Sequence, residues 1–495
     1  MVGVAKLLQR VEYNYQGLSL DVLLFIADSV YANTMTQKIS RREMLRNAAL
    51  AGVGIGVSGG GADGAVTDVE TTLEALIAGP PARHQSMIGV PFAKHETVRV
   101  AIIGTGLRGK GVLGEFLKVS GVSITALCDV VEEKALAAKA IVEKAGGPAP
   151  AIYVKGERGF RELVKRDDID LVYIATPWEW HVPQALAAMN AGKHVGTEVP
   201  AAYTLQDCWK LVDTSERTRR HCIMMENCCY ADDELLILNM IRAGVFGELV
   251  HGEAAYNHDL REILFEKRDE GLWRRRHHAL RDSNLYPTHG LGPVANYLNI
   301  NRGDRFDYLV SMSSGHWGLE AYRQDKVPAD DPRQREAYKC GDYNTSMIKT
   351  HTGRTVMLQH NVSTPRPYDR INLIQGTKGI FRDYPSRIYI EDDADRKHQW
   401  QTVERYQSKY AHRLWREEGD TARKLGGHGG MDYLMCYRLI ECMREGLVPD
   451  MDVYDAASWS VPGPLSELSS ARGSAPVRFP DFTRGSWKGK RLNML

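Results

Sequence analysis

The chain has 495 residues, more than one hydrophobic core usually serves, so we expect two domains plus an extension. Its 63 Lys and Arg balance its 62 Asp and Glu, and with 43% hydrophobic residues the composition is that of a soluble globular protein. This balance argues against a broad basic surface for nucleic acid or anionic lipid, and no apolar run reaches the roughly 18 residues of a membrane span.

The N-terminal region, residues 1–96, is predicted to be an export signal and linker. Arg41-Arg42 precede a mildly apolar stretch rich in Ala and Gly, residues 48–57, which is the layout of a twin-arginine signal. An amphipathic helix that happens to contain two arginines is the alternative. Because 34 residues precede Met35, Met35 is a candidate for the biological start. We therefore expect an exported protein, periplasmic or extracellular, that folds around its cofactor before the twin-arginine machinery moves it and keeps no membrane anchor when mature.

The first motif of the next region, residues 97–227, is a glycine-rich turn between a strand and a helix. A β-branched run, residues 98–103, leads into Gly104-Thr105-Gly106-Leu107-Arg108-Gly109, and residues 112–119 have helical spacing. Gly104 permits the tight turn, Gly106 lets the backbone approach a pyrophosphate, and Gly109 allows close packing of helix on strand. Asp129, at the end of a second apolar strand, can accept both ribose hydroxyls and repel a 2′-phosphate. The two motifs predict NAD as the cofactor.

Two further strands with an intervening helix complete the nucleotide domain. Residues 168–176 read as a strand, residues 177–181 as a loop, residues 182–191 as a helix, and residues 194–200 as a strand that ends in an acidic residue and a proline. Alternating strands and helices predict a doubly wound α/β Rossmann domain with a parallel sheet. Its ligand should lie at the carboxyl ends of the strands.

Four stretches carry a family resemblance that runs from about Val98 to the C-terminus. They are residues 176–181 (TPWEWH), 225–230 (MENCCY), 246–252 (FGELVHG) and 285–293 (LYPTHGLGP). With the Rossmann order they resemble the glucose-fructose oxidoreductase and inositol dehydrogenase superfamily, and more closely glycoside hydrolase family 109, the NAD-dependent α-N-acetylgalactosaminidases.

The resemblance implies a second domain, residues 228–495, of α+β type with an open, mostly antiparallel sheet, C-terminal helices near residues 431–444 and 453–459, and a tail. It also implies two sets of site residues. The cofactor contacts, together with the glycines, would be Leu107, Arg108, Asp129, Trp178, Glu179, Trp180, His181, Glu198, Val199 and Asn227. The substrate contacts would be Tyr256, Arg274, Tyr286, Pro287, Thr288, His289 and Tyr368.

The activity that the resemblance implies is removal of a terminal N-acetylgalactosamine. NAD would take a hydride from C3 of the sugar, a base would remove the acidified C2 proton, and the C1 substituent would leave. Water would then add, and the hydride would return, so that NAD is regenerated. We assign oxidation and proton transfer to His289 and Tyr286, with Tyr256 as a further acid or base, because neutral histidine or a tyrosine of lowered pKa suits these tasks.

One departure from the wider superfamily separates this chain from ordinary dehydrogenases. Many of those enzymes have Lys in a Glu-Lys-Pro motif and Asp four residues before the histidine, where this chain has Val199 and Leu285. A sugar oxidoreductase of the glucose-fructose oxidoreductase type is nevertheless the alternative function. A non-enzymatic sugar-binding protein is a second, which the intact glycines and Asp129 oppose.

Several local alternatives stay open at this stage. Instead of contacting a ligand, His181 could do no more than anchor a loop, Trp178 and Trp180 could be packing aromatics, and Tyr256 could have a structural role. The basic run 273–278 (WRRRHH) is interpreted as a substrate-facing or solvated segment rather than a nucleic-acid site, and His428 lies in a loop that either reaches the active site or only precedes a helix. The eight cysteines lack disulfide or zinc-site spacing, so we expect no metal. Pairing of open sheets makes a homo-oligomer an expectation.

Overall fold

The structure is a computed structural model that describes residues 73–393, 395 and 397–489. The chain divides into two units, residues 1–78 and residues 79–495. In the first unit the described residues, 73–78, are helical. The twin-arginine segment, Met35 and the predicted linker as far as residue 72 lie outside the described residues. None of the helices in the described part has the length and apolar character that crossing a membrane requires.

The first sheet of the second unit is six-stranded and entirely parallel. Its strand order is β3-β2-β1-β4-β5-β6, so the order reverses between β1 and β4, which is where a doubly wound sheet opens a ligand crevice. The central strands are buried almost throughout, as expected for a parallel sheet covered on both faces. The Rossmann prediction is confirmed. The strands are β1 (Val98–Ile103), β2 (Val122–Cys128), β3 (Ala151–Tyr153), β4 (Leu171–Ile174), β5 (His194–Thr197) and β6 (Cys222–Met224).

Helices connect these strands, and two of them begin earlier than the sequence predicts. The first begins at Leu107, directly after the glycine turn, and the fourth begins at Trp178, so residues 178–181 form a helical turn rather than a loop. Pro177 explains the second difference, since it precedes the helix with a φ of −54° that suits a helix start. The helices are α1 (Leu107–Phe116), α2 (Glu132–Lys144), α3 (Phe160–Leu163), α4 (Trp178–Asn190) and α5 (Leu205–Thr218).

The second sheet has eight strands in the order β13-β12-β11-β7-β10-β9-β8-β14. All of its neighbouring strands are antiparallel except β7 and β10, which confirms the open, mostly antiparallel sheet. Its strands are β7 (Leu249–Asn257), β8 (Phe306–Ser313), β9 (Asn344–Thr350), β10 (Thr355–Asn361), β11 (Leu373–Gly376), β12 (Gly379–Arg382), β13 (Arg387–Ile390) and β14 (Val477–Arg478).

Ten α-helices follow the Rossmann strands in the described part of the chain, and one of them, α9, lies directly on β7. The approach is so close that a Cβ on Gly290 would stand 2.4 Å from the backbone nitrogen of Ala255. The helices are α6 (Asp232–Arg242), α7 (Arg261–Phe265), α8 (Arg274–Leu280), α9 (Thr288–Tyr297), α10 (Gly318–Lys326), α11 (Gln407–Tyr410), α12 (Arg413–Leu425), α13 (Met431–Glu445), α14 (Val453–Ser460) and α15 (Pro462–Ala471).

The C-terminal helices return to the nucleotide-binding part of the fold. Helix α13 packs against α1, and α14 packs against α5 and β6. The predicted helices near residues 431–444 and 453–459 are therefore present, but they cover the Rossmann sheet rather than extend the second sheet. Residues after position 228 thus take part in the packing of both sheets. A single domain boundary at residue 227 therefore does not separate the residues that pack on one sheet from those that pack on the other.

Candidate active site

The glycine turn has the backbone geometry that the motif predicts. Gly104 has a φ of +88°, and a Cβ there would lie 2.5 Å from the carbonyl oxygen of Ala175. A Cβ on Gly109 would lie 1.8 Å from the carbonyl oxygen of Gly104, so only glycine allows α1 to sit this close to β1. Gly106 is the N-cap of α1, and no side chain caps that helix within the described residues. The first amides of α1 are thus open to an anion such as a pyrophosphate.

Asp129 lies at the end of β2, beside this turn. Its Oδ2 accepts hydrogen bonds from the amide of Thr105 at 2.7 Å and from the Thr105 hydroxyl at 3.1 Å, and its Oδ1 accepts from the amide of Val131 at 2.9 Å. A carboxylate has about four acceptor positions, so these bonds hold Asp129 in place and leave capacity for ribose hydroxyls. The site fits NAD.

Arg108 and Glu198 form an ion pair across the crevice between α1 and the end of β5. The Nε of Arg108 lies 2.8 Å from Oε1 of Glu198, which also accepts a 2.6 Å bond from the Tyr173 hydroxyl. Val199 beside Glu198 is buried, whereas Leu107 at the start of α1 is 67% exposed. An exposed leucine at the mouth of a nucleotide crevice provides apolar surface that a bound cofactor could cover.

The residues of the segment Trp178–His181 differ in whether they contact the predicted site residues. Trp178 is buried, and its ring centroid lies 6.0 Å from that of Tyr286, so it links the two sheets. Trp180 instead contacts Phe160, which is the packing interpretation, while the carboxylate of exposed Glu179 lies 3.9 Å from His277.

His181 is held by two backbone carbonyls. Its Nδ1 lies 2.9 Å from the oxygen of Pro200 and its Nε2 lies 2.8 Å from that of Thr176. Both ring nitrogens are therefore occupied by the protein, as the loop-anchor interpretation requires. Burial keeps the pKa of His181 below its ordinary value although both carbonyls favour the protonated ring. A cofactor contact by His181 stays a prediction and would have to use the ring edge or the backbone.

The predicted substrate residues come together in one aromatic cluster, which contains Tyr256, Tyr286, His289 and Tyr368. The centroid of Tyr256 lies 4.5 Å from Tyr286, 5.4 Å from His289 and 6.2 Å from Tyr368. Tyr286 and His289 are 4.9 Å apart, because α9 begins between them. Pro287 and Thr288 form that helix start, so they set the direction of both rings.

Arg274 reaches the same cluster from α8. Its guanidinium lies 4.7 Å from the ring centroid of Tyr286 and 5.3 Å from that of Trp178. The residue is only 5% exposed, and Nη1 bonds to Glu270 while Nε and Nη2 have no partner among the described residues. Buried donors without a partner are costly, so the two nitrogens mark a place where a polar ligand would be bound.

His289 is paired with Glu226, a residue that the sequence analysis did not select. Its Nδ1 lies 2.7 Å from Oε1 of Glu226, a carboxylate with no exposed surface. Burial acts to raise the pKa of Glu226, but its interactions with His289, Thr288 and the backbone of Cys228 together outweigh burial and keep the pKa below the ordinary value. An ionised Glu226 fixes the tautomer of neutral His289 with the proton on Nδ1, which leaves Nε2 as the base.

Glu226, His289 and Cys228 also have ligand atoms within 4.8 Å of one another, close enough to hold a metal ion. The Sγ of Cys228, however, lies 2.6 Å from Nη1 of Arg370. Burial raises the pKa of the Cys228 thiol well above its ordinary value although Arg370 opposes that shift. A neutral thiol beside a guanidinium is a poor cation ligand, so the cluster favours proton transfer over metal binding.

The tyrosines do not have the lowered pKa that the sequence analysis considered. Burial raises the pKa of Tyr256 and of Tyr286, and it also raises that of Tyr368. Arg274 opposes the shift at Tyr256 and Tyr286. In the protein alone the tyrosines are therefore proton donors, and the Tyr256 hydroxyl has His258 Nδ1 at 3.2 Å as a partner.

Asn227 completes the cofactor set, and its side chain leads to a second carboxylate that the sequence analysis did not select. Its Nδ2 donates to Oδ1 of Asp432 at 2.6 Å, and Oδ2 of Asp432 accepts from Arg108 at 2.7 Å. Glu226 could have been found as an acidic residue after a buried strand at the ligand edge of the sheet. Asp432 carries no such local signal, because its partners lie far away in sequence.

Comparison with known proteins separates the same two parts of the chain. Residues 98–226 match the oxidoreductase family with an NAD-binding Rossmann fold, and residues 230–489 match the C-terminal domain of glycosyl hydrolase 109. A glycosyl hydrolase family 109 protein of Solibacter usitatus is 56% identical over 456 residues, which are 92% of this chain and 99% of the relative. An alpha-N-acetylgalactosaminidase of Shewanella oneidensis is 49% identical over 416 residues, 83% of this chain and 91% of the relative.

Solved structures agree on the fold. Levoglucosan dehydrogenase in complex with NADH and levoglucosan has a TM-score of 0.61 at 20% identity, covering 78% of this chain and 100% of that one. An inositol dehydrogenase homolog from Azotobacter vinelandii in complex with NAD⁺ has a TM-score of 0.58 at 17% identity, covering 79% and 99%. The two family matches, the identity to curated relatives and the NAD-binding geometry lead to one conclusion: the chain is an enzyme of glycosyl hydrolase family 109 with an NAD-binding Rossmann domain.

Proposed function

We propose that this enzyme removes terminal N-acetylgalactosamine from glycans and regenerates its NAD in every turnover, which places it in carbohydrate metabolism. The observation that carries the proposal is the His289 and Glu226 pair, set among buried tyrosines and linked through Trp178 to the nucleotide crevice. The name of the Shewanella oneidensis relative supports the choice of sugar.

The residues of the cluster suit the separate proton transfers. Bound NAD would supply a hydride acceptor for C3 of the sugar and a donor for its return. Nε2 of His289 takes the proton from the C3 hydroxyl, because Glu226 holds the opposite nitrogen. Burial raises the pKa of Tyr286 and Arg274, which lies over its ring, opposes that rise, so removal of the C2 proton by a Tyr286 phenolate would depend on Arg274. Tyr256, whose hydroxyl has His258 as its partner, would protonate the leaving oxygen at C1.

Release of nitrophenol from para-nitrophenyl α- and β-N-acetylgalactosaminides tests the proposal, with NADH absorbance and deuterium uptake at C2 followed in the same reaction. Hydrolysis with C2 exchange and no accumulating NADH is the expected result. Steady NADH formation without nitrophenol would instead establish the sugar oxidoreductase alternative. The absence of any turnover with either anomer would leave the protein a sugar-binding one.

We propose further that the chain is exported by the twin-arginine route. The sequence of residues 40–57 supports this, since two arginines precede a weakly apolar stretch. Fractionation of cells that express the parent chain and an Arg41→Lys/Arg42→Lys variant tests it. We expect the parent outside the cytoplasm and the variant inside, and equal cytoplasmic retention of both would contradict export.

We also propose that a second copy covers the outer face of the second sheet. Val310, Met347 and Met357 stand in register across β8, β9 and β10, and nearby Met312 is 61% exposed. Such an apolar row on an open sheet fits a self-complementary contact. Light scattering should give twice the chain mass for the parent and a single chain mass for Met347→Lys, whereas a monomeric parent would contradict the proposal.

A further inference from the structure

The segment that precedes α13 lies along α1, the helix that begins at the glycine turn. The amide of Gly427 donates to Oε1 of Glu115 near the C-terminal end of α1 at 3.0 Å, and Lys118, just after α1, donates to the carbonyl of Leu425. His428, Gly429 and Gly430 then follow with φ values of +51°, +72° and +104°. Three successive left-handed residues turn the chain sharply and direct the first turn of α13 toward Arg108.

Asp432, in that first turn, binds side chains from three different segments. Its Oδ2 lies 2.7 Å from Nη1 of Arg108 and 2.7 Å from Nδ1 of His428, and its Oδ1 accepts from Asn227 at 2.6 Å. Arg108 and Asn227 are both expected cofactor contacts, and they are 324 and 205 residues from Asp432. Asp432 therefore joins the start of α1 to the end of the Rossmann domain.

The charges around Asp432 are arranged to keep it ionised. Burial acts against the charged form, but His428 and Arg108 hold the pKa of Asp432 well below its ordinary value. Arg108 is shared with Glu198, so two carboxylates fix its guanidinium and stop it from rotating freely. The side chain of His428 is 62% exposed, and its bond to Asp432 raises its pKa.

From this geometry we propose that Gly427–Asp432 is a retaining element of the NAD site. Asp432 is its positioning residue, which holds Arg108 and Asn227 for the cofactor, and His428 supports Asp432 through the 2.7 Å contact of its Nδ1 with Oδ2. An enzyme that uses its cofactor as a transient hydride store must not release it in mid-cycle, so a site fastened by a distant part of the chain serves that requirement.

The rate of NAD release from the purified holoenzyme tests this proposal without any sugar. Holoenzyme is mixed with excess etheno-NAD, and the exchange is followed by its fluorescence for the parent, Asp432→Asn and His428→Gln. The Asp432→Asn change removes the negative charge that accepts the hydrogen bonds of Arg108 and His428. We therefore expect NAD release to be about tenfold faster or more. His428→Gln should speed release in the same direction by a smaller factor.

Glu441→Gln is the matched control, because Glu441 lies on the same helix and is also ion-paired, to Arg413 and Arg438, away from the cofactor residues. It should lower the melting temperature and leave the release rate unchanged. If Asp432→Asn behaves like this control, with a lower melting temperature and parental release, the role of Asp432 is only structural and the proposal is wrong. If Asp432→Asn does not fold, His428→Gln decides: faster release supports the proposal and parental release overturns it. The measurement needs only the NAD site, so failure of the sugar hydrolysis proposal would not affect it.

Discussion

A histidine acts as a base only through the nitrogen that its other contacts leave free, and Glu226 makes that selection for His289. The carboxylate lies at the end of β6, where the parallel sheet opens. Many dehydrogenases of the superfamily that the chain resembles have an Asp four residues before the histidine, where this chain has Leu285. The structure supplies a carboxylate from another segment, so the histidine has an acidic partner that the local motif lacks.

Glu226→Gln should lower kcat for hydrolysis by about 100-fold and change KM little, because Glu226 orients the base and does not touch the sugar. Steady-state kinetics with the nitrophenyl substrate measures both constants. Glu216→Gln is the control for burying an amide in place of a carboxylate, since Glu216 is buried against Tyr454 and Arg484. A parental kcat for Glu226→Gln would remove Glu226 from the mechanism.

Arg274→Lys should raise KM about tenfold. Lysine keeps the positive charge near Glu270 but cannot replace the unpartnered Nε and Nη2 that face the cluster. Exposed Arg276 offers the control, because Arg276→Lys changes the same residue type on the same helix. Equal KM values for the two variants would show that Arg274 binds no part of the substrate.

At the scale of single elements, the site depends on how closely helices approach strands. Helix α1 contacts β1 through Gly109, and α9 contacts β7 through Gly290. Helix α1 carries the cofactor amides, and α9 carries His289 and begins two residues after Tyr286, so small residues at two contacts help to set the distance between cofactor and substrate residues. A third element, the turn before α13, reaches the same place from the C-terminal part of the chain.

Gly109→Ala should destabilise the protein by about 1–3 kcal/mol and weaken NAD binding, because the new Cβ would overlap the carbonyl of Gly104. Thermal unfolding and NAD titration measure the two effects. Gly111 lies on the same helix, and a Cβ there would have no heavy atom of the described residues within 4 Å, so Gly111→Ala should be neutral or slightly stabilising. Similar losses in both variants would contradict the packing explanation.

The pair of His428 and Asp432 should make stability depend on pH. The folded-state pKa of His428 is raised, so its contribution is complete below the ordinary value of 6.5 and is lost as the pH rises through the raised pKa. The free energy of unfolding should therefore differ between parent and His428→Gln at about pH 6 and converge at about pH 9. Urea unfolding at both pH values measures this, and a difference that grows with pH would have the wrong sign.

At the scale of the whole molecule, the two sheets do not belong to two independent domains connected by a single crossing of the chain. Helix α13 covers α1, and α14 covers α5 and β6, so the nucleotide domain is completed by residues from the far end of the chain. This arrangement brings Asp432 to Arg108 and also buries part of the surface that the Rossmann segment would otherwise expose. Cofactor binding and the stability of the C-terminal helices are therefore coupled.

A fragment of residues 97–227, the predicted nucleotide domain, should fail to fold to a rigid state. It would lack α13 and α14 and would expose the apolar faces of α5 and β6 that they cover. Near-ultraviolet circular dichroism and thermal unfolding of the fragment test this against residues 79–495. A cooperative transition together with NAD binding by the fragment would show that the helices are dispensable.

The sequence by itself determined the Rossmann order, the glycine turn, Asp129 and the Tyr286 and His289 pair, because each depends on residues close together in the chain or on strand ends that a parallel sheet must bring to one edge. Only the tertiary structure decided the partners of those residues. The bonds of Glu226 to His289 and of Asp432 to Arg108 and Asn227 join distant segments, and they depend on the packing of α9 on β7 and of α13 on α1. Burial in that packing also decided the raised pKa of the tyrosines, since desolvation depends on the neighbours that the fold supplies.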